Sequence, residues 1–114
     1  MGAVIGVDLG GTNVRALAMD KQGQHLGHRI EIPSRAQEGT EAIVESLAQA
    51  IMAAAQSANQ PIEKVGMAIP GFVDDESGMI YWAPNFGHYE GTLFHYWQDV
   101  PLRKLLEKHL DLPL

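Results

Sequence analysis

The sequence predicts an α/β domain on a mixed sheet, with a three-stranded antiparallel meander followed by strand-helix units. Three observations carry that expectation. Two apolar, partly alternating segments flank a three-residue tract, Gly10-Gly11-Thr12, which is hairpin length. A helical stripe of Ile43, Val44, Leu47 and Ile51 follows them. The nearly all-apolar run "KVGMAIPG" then reads as a strand returning to the sheet.

Taken in order, Ala3 to Leu9 is a buried strand and Asn13 to Met19 a second, antiparallel to it across the glycines. "DKQG", Asp20 to Gly23, is a turn signal, and His25 to Ile32 makes the third strand, closed by Pro33 and Ser34. A helix starts at Gly39 and Thr40, with Thr40 as N-cap, and its alanines continue the apolar face to Ala58. "NQP" ends it. Lys64 to Gly71 is expected as a strand covered on both faces. Gly71, Gly78 and Pro84 punctuate an irregular stretch with a small hairpin around "FVDDESGMIYW". Pro101 suits the first turn of a second helix that buries Leu102, Leu105, Leu106 and Leu110. At "HLDLPL" an αβ connection should hand over to another parallel strand, so the order predicts a domain incomplete at its C-terminus.

Composition narrows the function classes. The 114 residues are 46% hydrophobic and 19% charged, enough for one domain with a modest core. A net charge of -6 disfavours nucleic acid as a partner, because phosphate contacts need clustered Lys and Arg. The absence of cysteine excludes disulfides and thiolate metal sites within the chain and suits a cytoplasmic location. No segment approaches the ~20 apolar residues of a membrane span. "MGAVIGV" lacks the basic start of a signal peptide, and Gly6 breaks a myristoylation motif.

The glycine tract is the informative stretch. Adjacent glycines between strands turn sharply and bare their N–H groups to an anion, although Gly-Gly is also ordinary hairpin chemistry. A Walker loop fails because Thr12 and Asn13, not Lys and Ser or Thr, follow Gly11. A dinucleotide fingerprint fails because Asp8 stands where a glycine is needed and a strand, not a helix, follows. A carboxylate beside phosphate oxygens is repulsive unless a cation lies between them, and Mg²⁺ is the cation usually held beside nucleotide phosphates by one or two carboxylates. Asp8 with Gly10, Gly11 and Thr12 therefore reads as a site for a metal-nucleotide.

"DLGGTNVR" resembles the first phosphate loop of the actin-like ATPase superfamily (ribonuclease H-like fold), in the form used by hexokinases and ROK sugar kinases. "VGMAIPGFVDDESGMIYWAPNFG" is similar to the ROK stretch in which a strand runs into Pro-Gly, a small hairpin and a Pro-Asn pair. "DVPLRKLLEKHLDLPL" resembles the helix that leads those proteins toward the strand bearing their catalytic Asp. Together the three matches cover nearly the whole chain in the family's order.

The resemblance implies that residues 1–114 are the N-terminal phosphate- and sugar-binding domain of a longer two-domain kinase. That kinase would transfer the ATP γ-phosphoryl group to the 6-hydroxyl of a hexose, with glucose as the expected acceptor and polyphosphate as the alternative donor. It implies ATP binding by Gly6, Asp8, Gly10, Gly11, Thr12 and Asn13, with Asp8 orienting Mg²⁺. Arg15 either neutralises phosphate or is structural. Gly71 and Asn85 match the sugar pocket, against plain turn roles for both. The family's catalytic Asp, in an Asn-Asp pair, falls beyond Leu114. None of Asp74, Asp75, Asp99 or Asp111 has a matching context, so no catalytic base is assigned and the fragment itself is expected to be inactive. The whole protein is expected to be a homo-oligomer.

The sequence departs from the family between Pro84-Asn85 and the helix. "GHYEGTLFHYW" lengthens that connection into a lid, a subunit contact or a substrate-selecting loop. His88 and His95 read there as surface loop residues rather than metal ligands, and Trp82 and Trp97 as packing residues. The rival readings are a sugar-responsive ROK transcriptional regulator and a non-catalytic actin-like nucleotide-binding domain. The intact "DLGGTN" and the Pro-Gly and Pro-Asn matches weigh against them.

Overall fold

The structure, a computed structural model, describes residues 2–110. Asp111 and the expected hand-over at 111–114 lie outside the described residues. The chain opens as predicted, with β1 (Ala3–Leu9), β2 (Asn13–Met19) and β3 (His25–Pro33) in an antiparallel meander. Helix α1 (Thr40–Ala58) crosses over to β4 (Ile62–Ala68), which pairs parallel to β1 and gives the mixed order β3-β2-β1-β4. The turn after β2 is fixed by Asp20, whose Oδ1 accepts the N–H groups of Gln22 and Gln24 at 2.9 Å each.

Strict alternation in β1 sets the two faces of this sheet. Ala3, Ile5, Val7 and Leu9 are buried against α1, while Val4, Gly6 and Asp8 look the other way. The helix contributes Ile43, Leu47 and Ile51, all fully buried. Each such side chain stabilises the fold by about 1.5–3 kcal/mol. The N-cap of α1 is Gly39, one residue earlier than predicted, and Thr40 is the first helical residue. Its hydroxyl accepts a hydrogen bond from Trp97 Nε1 at 3.0 Å, so tertiary packing has taken the group that local capping would use. Asn59 in the left-handed conformation ends the helix.

Two expectations are corrected. β4 is not covered on both faces: of its residues only Val65 is buried, because α1 packs mainly over β1 to β3 and β4 pairs with β1 alone. The irregular stretch is a second, three-stranded antiparallel sheet of β5 (Phe72–Asp74), β6 (Met79–Glu90) and β7 (Leu93–Val100). The small hairpin predicted around "FVDDESGMIYW" is its β5–β6 unit, and the lengthened connection is the β6–β7 hairpin. Helix α2 (Leu102–Glu107) follows, with Pro101 as its N-cap rather than inside its first turn. Leu102, Leu106 and Leu110 are buried as expected, and Leu105 is partly buried against them.

Both sheets feed one core. Phe86 and Trp97 from the second sheet, with ring centroids 5.5 Å apart, belong to the same buried cluster as β1, β2 and α1. Trp97 is thus a packing residue, but Trp82 is not. It remains 41% exposed against an exposed Phe72, on the sheet face opposite Gln98 that no described element covers.

Candidate functional site

Gly10, Gly11 and Thr12 form the tip of the β1–β2 hairpin, closed by Gly10 N–H donating to the Asn13 carbonyl at 2.9 Å. That bond engages the Gly10 amide within the hairpin. Gly11 is different. A Cβ built there would have nothing within 4 Å, and no described backbone carbonyl takes the N–H of Gly11 or Thr12. Two free amides at an open glycine tip suit phosphate oxygens.

Asp8 lies one face over, on the open side of the sheet, 60% exposed and directly opposite Arg15. The Arg15 guanidinium is 3.7 Å from the Asp8 carboxylate and 3.5 Å from Glu31, which also meets Arg29 at 3.4 Å. Asn13 points its amide at Glu31 as well, at 3.3 Å. These contacts are solvent-exposed, so each contributes at most about 1 kcal/mol. Their effect is electrostatic: Asp8 already has one cationic neighbour, and its outer side is open. Gly6, Asp8, Arg15, Leu17, His25 and Arg29 line a shallow hollow of about 430 Å³ on this face. An exposed carboxylate two residues ahead of the glycine tip, with no second carboxylate bonded to it among the described residues, fits Mg²⁺ held through waters and phosphate oxygens. It does not fit a pre-built cage, and no cluster of three or more His, Asp or Glu able to hold a metal occurs among the described residues.

Of the residues predicted for the sugar, Gly71 lies just before β5, against Trp82 and Ala83 of β6, and Asn85 lies on β6 itself. A Cβ at Gly71 would run into the Trp82 carbonyl oxygen, and Ala83 is the next neighbour, so glycine there is needed for strand packing in this fold. Asn85 occupies a bulge. Between the pairs Ala83–Trp97 and Gly87–Tyr96, β6 carries three residues where β7 has none. The bulge turns Phe86 fully into the core and leaves Asn85 exposed, the kind of re-aiming for which bulges are used beside active sites.

The two groups are joined by one short segment. Ser34 N–H donates to the Thr12 carbonyl at 2.9 Å. Gly87 N–H donates to the Ala36 carbonyl, and Gly39 N–H to the Gly87 carbonyl, both at 2.8 Å. Residues 34–39 therefore tie the phosphate loop at one end and the Asn85 bulge at the other. Arg35 within this strap has φ 59°, held by Glu38 and Glu45 at 3.3 Å each.

On the lengthened hairpin, His88 and His95 are cross-strand partners with stacked rings 5.2 Å apart, and Glu90 lies 3.7 and 3.3 Å from their Nε2 atoms. Both are about half exposed, on a strand pair rather than in a loop. Asp74, away from the predicted site, has its carboxyl held below the usual range by hydrogen bonds from the Ser77 hydroxyl and the Glu76 amide.

Sequence reasoning left Arg15 open and missed Glu31 and Ser34. Arg15 was recoverable, because counting back from the hairpin turn pairs Asp8 with it. Glu31 and Ser34 come from a third strand and its exit, whose register no local pattern fixes.

A mixed sheet with its glycine hairpin and acid at the first turn defines an α/β domain of the actin-like ATPase class. The ROK family model matches residues 4–114, and the chain belongs to the ROK family. It is 32% identical over 115 aligned positions to a glucokinase of Streptomyces coelicolor, covering all of this chain and 32% of that one. A xylose repressor of Caldicellulosiruptor bescii is 26% identical over 117 positions, covering all of this chain and 27% of the repressor. Among solved structures, a ROK family glucokinase from Streptomyces griseus in complex with glucose and AMPPNP superposes with TM-score 0.74 at 30% identity. That superposition covers 98% of this chain and 31% of the other. The chain thus spans about a third of the length of the relatives it matches.

Proposed function

We propose that this chain is the N-terminal phosphate- and sugar-binding domain of an ATP-dependent hexokinase, with glucose as acceptor and a homo-oligomer as the whole protein. The observation that carries the reading is the pairing of an open glycine tip, with free amides at Gly11 and Thr12, and an outward-facing Asp8. In this reading Gly11 and Thr12 donate to the triphosphate, with Gly10 shaping the tip and Gly6 leaving room in the hollow. Asp8 orients a magnesium ion, and Arg15 balances charge between Asp8 and Glu31. Magnesium supplies neutralisation of the charge that develops on the transferred phosphoryl group. The Asn85 amide is aimed at sugar hydroxyls from its bulge, and Gly71 packs the strand beside it. No residue here is assigned as the base that takes the hydroxyl proton, so the fragment alone does not turn over.

The test is sugar-dependent ADP release by the whole protein. Activity with glucose is expected, and no turnover with any common hexose would defeat the reading. Similarity to a xylose repressor supports a second reading, a sugar-responsive regulator. In that case the protein binds sugar but shows neither turnover nor a nucleotide-dependent rise in melting temperature.

A further inference from the structure

Ser34 is fully buried, and its Oγ is the one buried side-chain oxygen or nitrogen without a hydrogen-bond partner among the described residues. Folded proteins satisfy nearly all such groups, and an exception calls for a cause. Its place in the chain suggests one. The backbone N–H of Ser34 already holds the Thr12 carbonyl, and the residue opens the strap that continues to the Asn85 bulge. Its neighbour Arg35 is held in a left-handed conformation, so the backbone at this junction is constrained by the surrounding chain.

We infer that Ser34 is a positioning residue for the phosphate loop, its hydroxyl gaining a hydrogen bond to the Gly10–Thr12 backbone only when a nucleoside triphosphate is bound there. The inference rests on the nucleotide reading above and deepens it. An unsatisfied buried hydroxyl is a cost in the empty protein and a source of binding energy in the loaded one. Nucleotide binding is thereby coupled to the first residue of the strap.

The experiment compares Ser34→Ala and Ser34→Thr with the unaltered whole protein. It reads thermal melting with and without Mg·ATP, together with KM for ATP and for glucose. Ser34→Ala is expected to melt at the same temperature or higher without nucleotide, since it removes a group that has no partner. Its affinity for Mg·ATP should fall about three- to tenfold, the range for one net hydrogen bond. KM for ATP should rise in step, KM for glucose should stay within about twofold, and Ser34→Thr should restore the Mg·ATP affinity and KM for ATP. Loss of stability or of folding in nucleotide-free Ser34→Ala overturns the inference, because the hydroxyl would then have a partner in the empty state. Equal nucleotide responses in variant and parent overturn it as well, while leaving the kinase reading intact. A parent protein indifferent to Mg·ATP overturns both.

Discussion

At the scale of single residues, the question is why an acid stands beside a loop suited to phosphate. The open face supplies Asp8 with Arg15 at 3.7 Å, and Arg15 is shared with Glu31 at 3.5 Å. This arrangement leaves Asp8 accessible, and the role proposed for it is electrostatic rather than structural. Asp8→Asn in the whole protein is therefore expected to lower magnesium-dependent turnover by about a hundredfold or more, the usual cost of losing one group that stabilises transition-state charge. The same substitution should change folding stability by less than about 1 kcal/mol, because an exposed pair contributes little. Steady-state kinetics and a urea titration separate the two effects. A variant that kept its turnover would remove Asp8 from the chemistry.

At the scale of elements, the second sheet is held at three places that can be tested separately. A Cβ at Gly87 would strike the His95 carbonyl oxygen, so Gly87→Ala must spread the strands and is expected to cost about 1–3 kcal/mol, as overpacking does. The Trp97–Thr40 hydrogen bond at 3.0 Å joins the hairpin to α1. Thr40→Val should lose about 0.5–1.5 kcal/mol, and a double-mutant cycle with Trp97→Phe should return a coupling of that size, the packing cost of the smaller ring cancelling in the cycle. The β5–β6 turn depends on Asp74 as a carboxylate, whose pKa is lowered from 3.8 by Ser77 and then Glu76. A depressed folded pKa means that its stabilising effect is complete above the unfolded value and is lost as pH falls through the folded one. The melting difference between the parent and Asp74→Asn should accordingly be constant at neutral pH and close below about pH 4. The elements with strong local periods, β1 to β3 and both helices, were legible in the sequence for that reason. The β6–β7 hairpin was not. Its "HYEGTLFHY" is exposed on both faces, so the apolar-polar alternation that marks a half-buried strand is missing, and the bulge at 84–86 interrupts what remains. The same division holds for the site. Asp8 and the glycines are contiguous and readable, whereas the strap contacts of Ser34, Ala36 and Gly39 arise only when distant segments pack.

At the scale of the whole molecule, the issue is whether the second sheet is an appendage or part of one cooperative unit. It shares the buried cluster of the first sheet through Ile80, Ala83, Phe86, Trp97 and Val100. The strap adds two backbone hydrogen bonds, Gly87 N–H to the Ala36 carbonyl and Gly39 N–H to the Gly87 carbonyl, and Trp97 donates to the first residue of α1. A contiguous core with no solvent layer between its halves should unfold in a single transition. Phe86 is the sharpest probe, being the largest fully buried side chain and lying on the strand that bears Asn85. Phe86→Ala is expected to cost about 3–5 kcal/mol, a large share of the ~5–15 kcal/mol typical of a folded domain. With Trp82→Phe removing the exposed indole, fluorescence reports Trp97 in the second sheet, while far-UV circular dichroism reports chiefly α1 on the first. Their melting curves should coincide in both the parent and Phe86→Ala, with the variant's midpoint lower by more than about 10 °C on both probes. If fluorescence fell early while the helical signal kept its original midpoint, the sheets would be separable. The strap would then join two independently stable parts.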